Sequence, residues 1–140
     1  MYRSSDTDRG RFSYMGSAGG PLWQRVTYWL PPPEEPSHAD VSPAIAPVGG
    51  TLVTVNSAGS TNSRTGTCFF DWLDRELGED RCRRSVEASA ALPFDFWGGY
   101  VGYLGYELKA ECGGDNSHTS SSPDAAMFLA DRYVPVASVC

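Results

Sequence analysis

Alternating side chains over residues 22–30 form the clearest pattern in the chain and predict a β-strand. Trp23 and Trp29 fall on one face, while Val26 and Tyr28 fall on the other. Because both faces carry large apolar groups, we expect this strand to be covered on both sides. Similar composition predicts further strands over residues 11–15, 51–55, 125–129 and 133–139, the last two being one bent strand or a hairpin broken at Pro135.

Apolar residues at helical spacing predict a helix over residues 67–77. Thr65 or Thr67 is expected to cap its start, and Gly78 suits the C′ position at its end. Trp72 lies off the tightest apolar stripe and is expected to cover a neighbouring strand. The residues expected on the buried stripe are Phe69, Phe70, Leu73 and Leu77.

Polar and proline-rich segments separate these elements. Three consecutive prolines end the strand at residue 30, because proline removes a backbone donor and fixes φ. Residues 31–50 are therefore interpreted as a flexible insertion, and residues 56–66 and 115–123 as loops. A short helix is predicted over residues 106–112, ended by two glycines.

Glycine recurs every third residue at Gly99, Gly102 and Gly105, within a run rich in tyrosine. This G-x-x-G-x-x-G order differs from the G-x-G-x-x-G of dinucleotide-binding loops, and no G-K-[ST] follows it. Glycine weakens a strand unless another backbone approaches closely, so the run favours a close-packed structural strand. Its predicted structural positions are Gly98, Gly99, Gly102, Tyr103, Gly105 and Tyr106.

Composition narrows the classes of function. A chain of 140 residues fits one domain, and a formal net charge of −6 argues against a nucleic-acid surface. No apolar stretch approaches the roughly 18 residues of a membrane span, and no signal-peptide pattern follows Met1. The four cysteines lack C-x-x-C pairing, which predicts no metal site and favours a reducing, intracellular location.

Candidate catalytic groups do not converge in the sequence. Three serines at 120–122 follow His118, but nothing indicates an orienting acid or an oxyanion hole. Acidic residues of the predicted helix fall on its outer face, where solvation accounts for them. We therefore expect no catalytic residue in this chain.

Distinctive motifs occur in residues 8–16, 20–23, 94–109, 111–113, 118–120 and 123–132. Together these segments resemble the amino-terminal domain of the chorismate-utilising synthases, which include the anthranilate synthase large component and aminodeoxychorismate synthase. Gly105-Tyr106-Glu107-Leu108-Lys109, followed by Glu111-Cys112-Gly113, is more similar to plant and algal aminodeoxychorismate synthases than to anthranilate synthase. The residues between 31 and 64 diverge.

The resemblance implies an α+β fold with mostly antiparallel strands in orthogonally packed sheets and flanking helices, incomplete in this segment. Residues 1–30 and 51–140 would form part of the family's amino-terminal domain, with residues 31–50 as the insertion. A family pocket for tryptophan is matched in part by Ser5, Arg11, Phe12 and Ser13, which by the resemblance are remnants of that pocket; the alternative is that they are ordinary strand and turn positions.

The resemblance also implies that the chain is a piece of an enzyme making 4-amino-4-deoxychorismate for p-aminobenzoate and folate synthesis. Chorismate and Mg²⁺ would bind a carboxy-terminal region absent here, and a glutamine amidotransferase domain or subunit would supply ammonia. This piece would be a scaffold, inactive alone, in a plastid for a plant or alga and otherwise in the cytoplasm. The alternatives are the anthranilate synthase large component and a non-catalytic module that binds an amino acid or a partner protein.

Overall fold

Seven strands and two helices make up the part of the chain that the structure, a computed structural model, describes: residues 12–33, 49–78, 96 and 98–137. Residues 34–48, most of the predicted insertion, lie outside the described residues. The elements in chain order are β1 (Phe12–Gly16), β2 (Gln24–Trp29), β3 (Gly50–Asn56), β4 (Thr61–Thr67), α1 (Phe69–Leu77), β5 (Gly99–Leu104), a 3₁₀ helix (Tyr106–Cys112), β6 (Ala125–Ala130) and β7 (Tyr133–Ala137).

Two antiparallel sheets contain these strands. Five strands form one sheet in the order β4-β3-β2-β6-β5, whereas β1 and β7 pair as a separate two-stranded ribbon. The predicted α+β class with mostly antiparallel strands is confirmed. β2 is the central strand, where Tyr28 lies opposite Leu52 on one side and Ala125 on the other.

The core lies between the five-stranded sheet and the two helices. Val26 and Tyr28 of β2 are fully buried, as the strand's apolar composition predicts. The Tyr28 ring packs on Phe69 of α1 at 5.3 Å between centroids, and Phe69 packs on Trp72 at 5.6 Å. The core cluster consists of Val26, Tyr28, Leu52, Phe69, Trp72, Leu108 and Ala125.

The face that α1 buries differs from the predicted stripe. Trp72 is only 3% exposed, whereas Phe70 is 37% and Leu77 is 46% exposed. The helix meets the sheet through the face that carries Phe69 and Trp72, three residues apart, with Leu73 packed partly against the core. Phe70 and Leu77 therefore lie outside the buried face on which the sequence pattern placed them, whereas Trp72 covers β5 through Tyr100, as expected.

Both predicted caps of α1 are wrong. Cys68 is the N-cap residue and makes no side-chain cap, because Thr65 belongs to β4 and Thr67 ends that strand. Gly78 has a φ of −53°, outside the left-handed region, and its N–H donates to the Arg75 carbonyl at 3.4 Å. By contrast, the predicted short helix at residues 106–112 is confirmed as a 3₁₀ helix that ends at Gly113 in the left-handed conformation.

Residues 61–67 form β4, where the sequence predicted a loop over residues 56–66 and a helix beginning at Thr67. The Asn56 side chain organises the connecting turn by accepting hydrogen bonds from the Ala58 and Ser60 N–H groups, both at 3.0 Å. β4 is an exposed edge strand with polar side chains, so it shows no apolar alternation. The antiparallel backbone pairing with β3 stabilises β4 instead.

Neither of the two forms expected for residues 125–139 is correct. β6 pairs with β2 and β5, whereas β7 leaves that sheet and pairs with β1. Pro135 lies inside β7 opposite Tyr14, a position that a strand of a two-stranded ribbon tolerates because its other edge is open. At the turn between β6 and β7, Asp131 accepts the Leu22 N–H at 2.8 Å.

Candidate functional site

The residues predicted to resemble a tryptophan pocket are only partly described. Ser5 and Arg11 lie outside the described residues. Phe12 and Ser13 begin β1, opposite Ala137 and Val136. Because side chains alternate along a strand, Phe12 and Ser13 point to opposite faces of the ribbon. The strand therefore does not bring these two side chains into one cavity.

The glycine run forms the edge of the five-stranded sheet. Gly98 and Gly99 adopt φ angles of +95° and +121° where β5 begins, a region that other residues rarely adopt. At Gly102 a β-carbon would lie 2.6 Å from the Cα of Met127 in β6. This close approach of β6 explains why glycine occupies position 102. Tyr103 is also in β5, while Gly105 precedes the 3₁₀ helix and Tyr106 starts it.

An apolar cavity of about 240 Å³ lies where the ribbon meets the β5–β6 edge of the five-stranded sheet. We call it the aromatic pocket. Its ribbon side comes from both β1 and β7, and its sheet side from β5 and β6. The lining residues are Tyr14, Gly16, Phe96, Val101, Phe128, Ala130 and Tyr133.

Three rings build one wall of the aromatic pocket. Phe96 lies edge-on to both Tyr14 and Tyr133, with 5.1 Å between centroids in each pair. The Tyr133 hydroxyl donates to the Phe96 carbonyl at 2.8 Å, which fixes the chain before β5 against the ribbon. Burial, and secondly the nearby Tyr14, raises the pKa of Tyr133. Tyr133 therefore stays neutral near pH 7.

The chemistry of this lining suits the binding of an apolar group. None of the seven lining residues that the structure describes is an aspartate, a glutamate, a lysine, an arginine, a histidine or a cysteine. The two tyrosines are the polar side chains among them, and the Tyr133 hydroxyl is donated to a backbone carbonyl. The pocket can hold an apolar group and exclude water from it.

A second centre forms around Glu111, a carboxylate only 9% exposed. One of its oxygens accepts hydrogen bonds from the Tyr28 hydroxyl and from the Phe69 N–H at 2.7 Å. The other accepts from the Phe70 N–H and from the Cys68 thiol, both at 3.2 Å. Glu111 thereby supplies the N-terminal cap of α1 and places its charge at the positive end of the helix dipole.

Tyr28 completes this centre from the middle of the sheet. Its oxygen accepts the Gly50 N–H at 2.7 Å, so the phenol joins β2, β3 and the 3₁₀ helix. Burial raises the pKa of Tyr28, and the hydrogen bond to Glu111 raises it further. Burial is also the main cause that raises the pKa of the Cys68 thiol. Both groups are therefore neutral hydrogen-bond donors. The Glu111 centre links α1, the central strands and the 3₁₀ helix, so its role is structural.

Sequence reasoning missed both features. Glu111 belongs to the Glu-Cys-Gly motif, and nothing in its local sequence indicates that its carboxylate meets the start of a helix 42 residues earlier. The alternation within residues 12–16 and 99–104 could have indicated two-faced strands, but not that they share a pocket.

No metal centre or membrane span is found in the part of the chain that the structure describes. Within residues 12–33, 49–78 and 98–137, no three His, Cys, Asp or Glu side chains are grouped so that they could hold a metal ion. Neither described helix is both long and apolar enough to cross a bilayer.

Comparison with known proteins gives consistent names. The chain is 40% identical over 135 residues to a protein of Arabidopsis thaliana named "Aminodeoxychorismate synthase, chloroplastic". It is 40% identical over 136 residues to a probable chloroplastic aminodeoxychorismate synthase of Oryza sativa subsp. japonica. It is 38% identical over 124 residues to an aminodeoxychorismate synthase of Streptomyces pristinaespiralis.

These alignments cover 89–95% of this chain but only 14% of the length of each relative. No family model matches the chain. The chain is therefore homologous to one segment of proteins named aminodeoxychorismate synthase, as the resemblance in its motifs predicted.

Proposed function

We propose that this chain is a segment of an aminodeoxychorismate synthase and that it acts there as a structural scaffold. The observation that carries the proposal is the 38–40% identity, over at least 89% of the chain, to plant and bacterial proteins of that name. Identity at this level across nearly the whole segment is accompanied by the Gly-Tyr-Glu-Leu-Lys and Glu-Cys-Gly motifs.

The reaction proposed for the whole protein replaces the C4 hydroxyl of chorismate with an amino group. Ammonia released from glutamine forms the new C–N bond, the C4–O bond breaks, and water leaves. The product, 4-amino-4-deoxychorismate, leads to p-aminobenzoate and folate. A glutamine amidotransferase domain or subunit is the proposed partner that releases the ammonia.

The proposed scaffold role is supported by how the described residues are used. The Glu111 carboxylate joins α1, β2 and the 3₁₀ helix, and each donor it meets is neutral. The described lining of the aromatic pocket carries no carboxylate, amine, guanidinium, imidazole or thiol. Elements that position a neighbouring site must be rigid, and satisfied hydrogen bonds and apolar packing make them so.

Mg²⁺ does not fit the described residues, which bring together no set of carboxylates able to hold it. We propose that the Mg²⁺ site lies outside these residues, in the longer polypeptide. A plastid location is proposed for a plant or algal source, because two relatives carry "chloroplastic" in their names.

The test is an assay of the longest polypeptide that the transcript encodes. The purified protein is incubated with chorismate and Mg²⁺, with either ammonia or glutamine as nitrogen donor. Product is converted by excess aminodeoxychorismate lyase and measured as p-aminobenzoate by chromatography with fluorescence detection. Anthranilate is resolved in the same run.

Formation of p-aminobenzoate that depends on both chorismate and a nitrogen source would support the proposal. Anthranilate without p-aminobenzoate would replace it with the anthranilate synthase alternative. A transcript that stops at residue 140, or a longer protein that forms neither product, would favour a non-catalytic binding module.

A further inference from the structure

Among the residues that the structure describes, the lining of the aromatic pocket carries no charged side chain. Its lining holds two hydroxyls, those of Tyr14 and Tyr133, and the Tyr133 hydroxyl is already donated to the Phe96 carbonyl. Burying a carboxylate or an ammonium group without a partner of opposite charge is strongly unfavourable. A free amino acid carries both of these charges, and chorismate carries two carboxylates, so neither suits this lining.

The size of the pocket suits one large side chain. Its volume is about 240 Å³. An engineered cavity of about 150 Å³ in another protein stays dry and takes up benzene, so this one has room for an aromatic ring or a branched aliphatic group. Drug-sized ligands usually occupy about 300–1,000 Å³, which places the pocket below that class.

The described surface beside the pocket leaves apolar groups exposed, which indicates a polypeptide partner. Among the described strands β5 is an edge strand, and Val101 and Tyr103 on it are 40% and 47% exposed. Val101 also lines the pocket, so the pocket lies beside this edge. An edge strand offers unpaired backbone groups to an extended segment, and pockets beside it select alternate side chains.

The β1–β7 ribbon, which forms the opposite wall of the aromatic pocket, also indicates a polypeptide partner. Isolated two-stranded sheets are at best marginally stable in water, so β1 and β7 need packing beyond their own pairing. Filling the aromatic pocket would pack Tyr14 and Gly16 of β1 and Tyr133 of β7 against the sheet through a single apolar group.

We infer that the aromatic pocket is a socket for an apolar side chain carried by the part of the synthase polypeptide that lies outside this chain. The inference rests on the proposed function. The chain spans 14% of the length of its relatives, so a synthase of that size would contain a further polypeptide about six times as long. Within one molecule, such a segment is present at high effective concentration, which favours it over a free ligand or a second copy.

Photocrosslinking in the longest encoded polypeptide tests the inference. Tyr14→p-benzoylphenylalanine places a photoreactive ring at the pocket wall, and Ser63→p-benzoylphenylalanine places it on β4, at the far edge of the sheet, as the matched control. After irradiation, crosslinked peptides are mapped by mass spectrometry. We expect the Tyr14 variant to crosslink within one molecule to a peptide outside the 140 residues, and the Ser63 variant to crosslink there at least tenfold less.

A blocking variant ties the crosslink to the cavity itself. At Gly16 a β-carbon would meet the Phe128 ring at 3.8 Å, an ordinary contact, so a larger side chain extends from there towards the cavity. Gly16→Leu, added to the Tyr14 variant, is expected to lower the crosslink yield at least tenfold. Ser63→Leu in the same background is expected to leave the yield unchanged.

Four results would overturn the inference: crosslinks confined to the 140 residues, a crosslinked dimer, a small-molecule adduct, or no crosslink from Tyr14. The synthase assay on the unsubstituted protein separates this outcome from the proposed function. An active synthase without the expected crosslink removes the socket alone. An inactive polypeptide that still gives the crosslink removes the proposed enzyme and leaves the socket.

Discussion

Glu111 accepts a hydrogen bond from the backbone N–H of Phe69 at 2.7 Å, although the two residues are 42 positions apart. The first turn of a helix leaves N–H groups without partners in the helix, and a nearby side chain usually satisfies them. Here the acceptor comes from the 3₁₀ helix. The start of α1 therefore depends on the correct packing of an element much later in the chain.

Replacing Glu111 should loosen the start of α1. Glu111→Gln keeps the size of the side chain but removes the charge and one acceptor oxygen, which leaves buried donors poorly satisfied. We expect local stability to fall by about 2 kcal/mol. Hydrogen–deuterium exchange of peptides covering residues 68–73 in the longer polypeptide would measure the change.

Glu107→Gln is the matched control, because it makes the same chemical change in the first turn of the same 3₁₀ helix. Equal loss of protection in both variants would contradict the capping role of Glu111.

Tyr28 should make the fold sensitive to alkali. Burial, followed by the hydrogen bond to Glu111, raises the pKa of Tyr28 in the folded state. The stabilisation from the neutral phenol is therefore complete below the ordinary tyrosine pKa of about 10 and is lost as the pH rises above it. The loss is at most about 1.4 kcal/mol per pH unit.

Absorbance of tyrosinate checks this prediction. Between pH 9 and 11 the folded wild type and Tyr28→Phe should give the same absorbance change, because Tyr28 does not ionise in the folded wild type. In denaturant the wild type should show one more ionising tyrosine than Tyr28→Phe does. A smaller change in the folded variant would mean that Tyr28 ionises normally.

Local patterns predicted the elements whose own side chains determine them. β2 carries apolar groups on both faces and occupies the centre of the sheet, and the short helix before Gly113 lies where the sequence placed it. β4 was missed because an exposed edge strand without apolar side chains is stabilised by pairing with β3. Phe70 and Leu77 were misplaced because the buried face of α1 depends on the sheet that it meets.

The Glu111 centre and the aromatic pocket could not be predicted for a related reason. Both consist of residues far apart in sequence, such as Tyr14 with Val101 and Tyr28 with Glu111. Each residue looks ordinary in its own segment. Only the strand order, which sends β7 to β1 and β6 to β2, brings them together.

Gly102 should not tolerate a side chain. A β-carbon there would overlap the Ala126 carbonyl oxygen and lie 2.6 Å from the Cα of Met127. Since both are backbone atoms of the paired strand, β5 must shift, and we expect Gly102→Ala to cost about 1–3 kcal/mol. Faster exchange of amides in residues 99–104 and 125–130 would report the loss.

Gly16→Ala is the control for this substitution, because its β-carbon would lie 3.4 Å from the nearest atom, the Arg132 carbonyl oxygen. It should change exchange far less. Comparable effects from both variants would show that general loss of glycine, and not the approach of β6, is responsible.

The 140-residue chain expressed alone should self-associate through the outer face of the ribbon. Met15 and Val134 pair across it and are 62% and 60% exposed, with Val136 beside them. Exposed apolar groups on a narrow sheet with open edges favour association.

Size-exclusion chromatography with light scattering measures this association. The molar mass should rise with protein concentration, and Met15→Gln combined with Val134→Thr should reduce that rise. Leu77→Gln, which changes an exposed apolar residue on α1, should not. A wild-type monomer with a sharp cooperative melting transition would contradict the prediction, because it would mean that the ribbon is stable without further polypeptide.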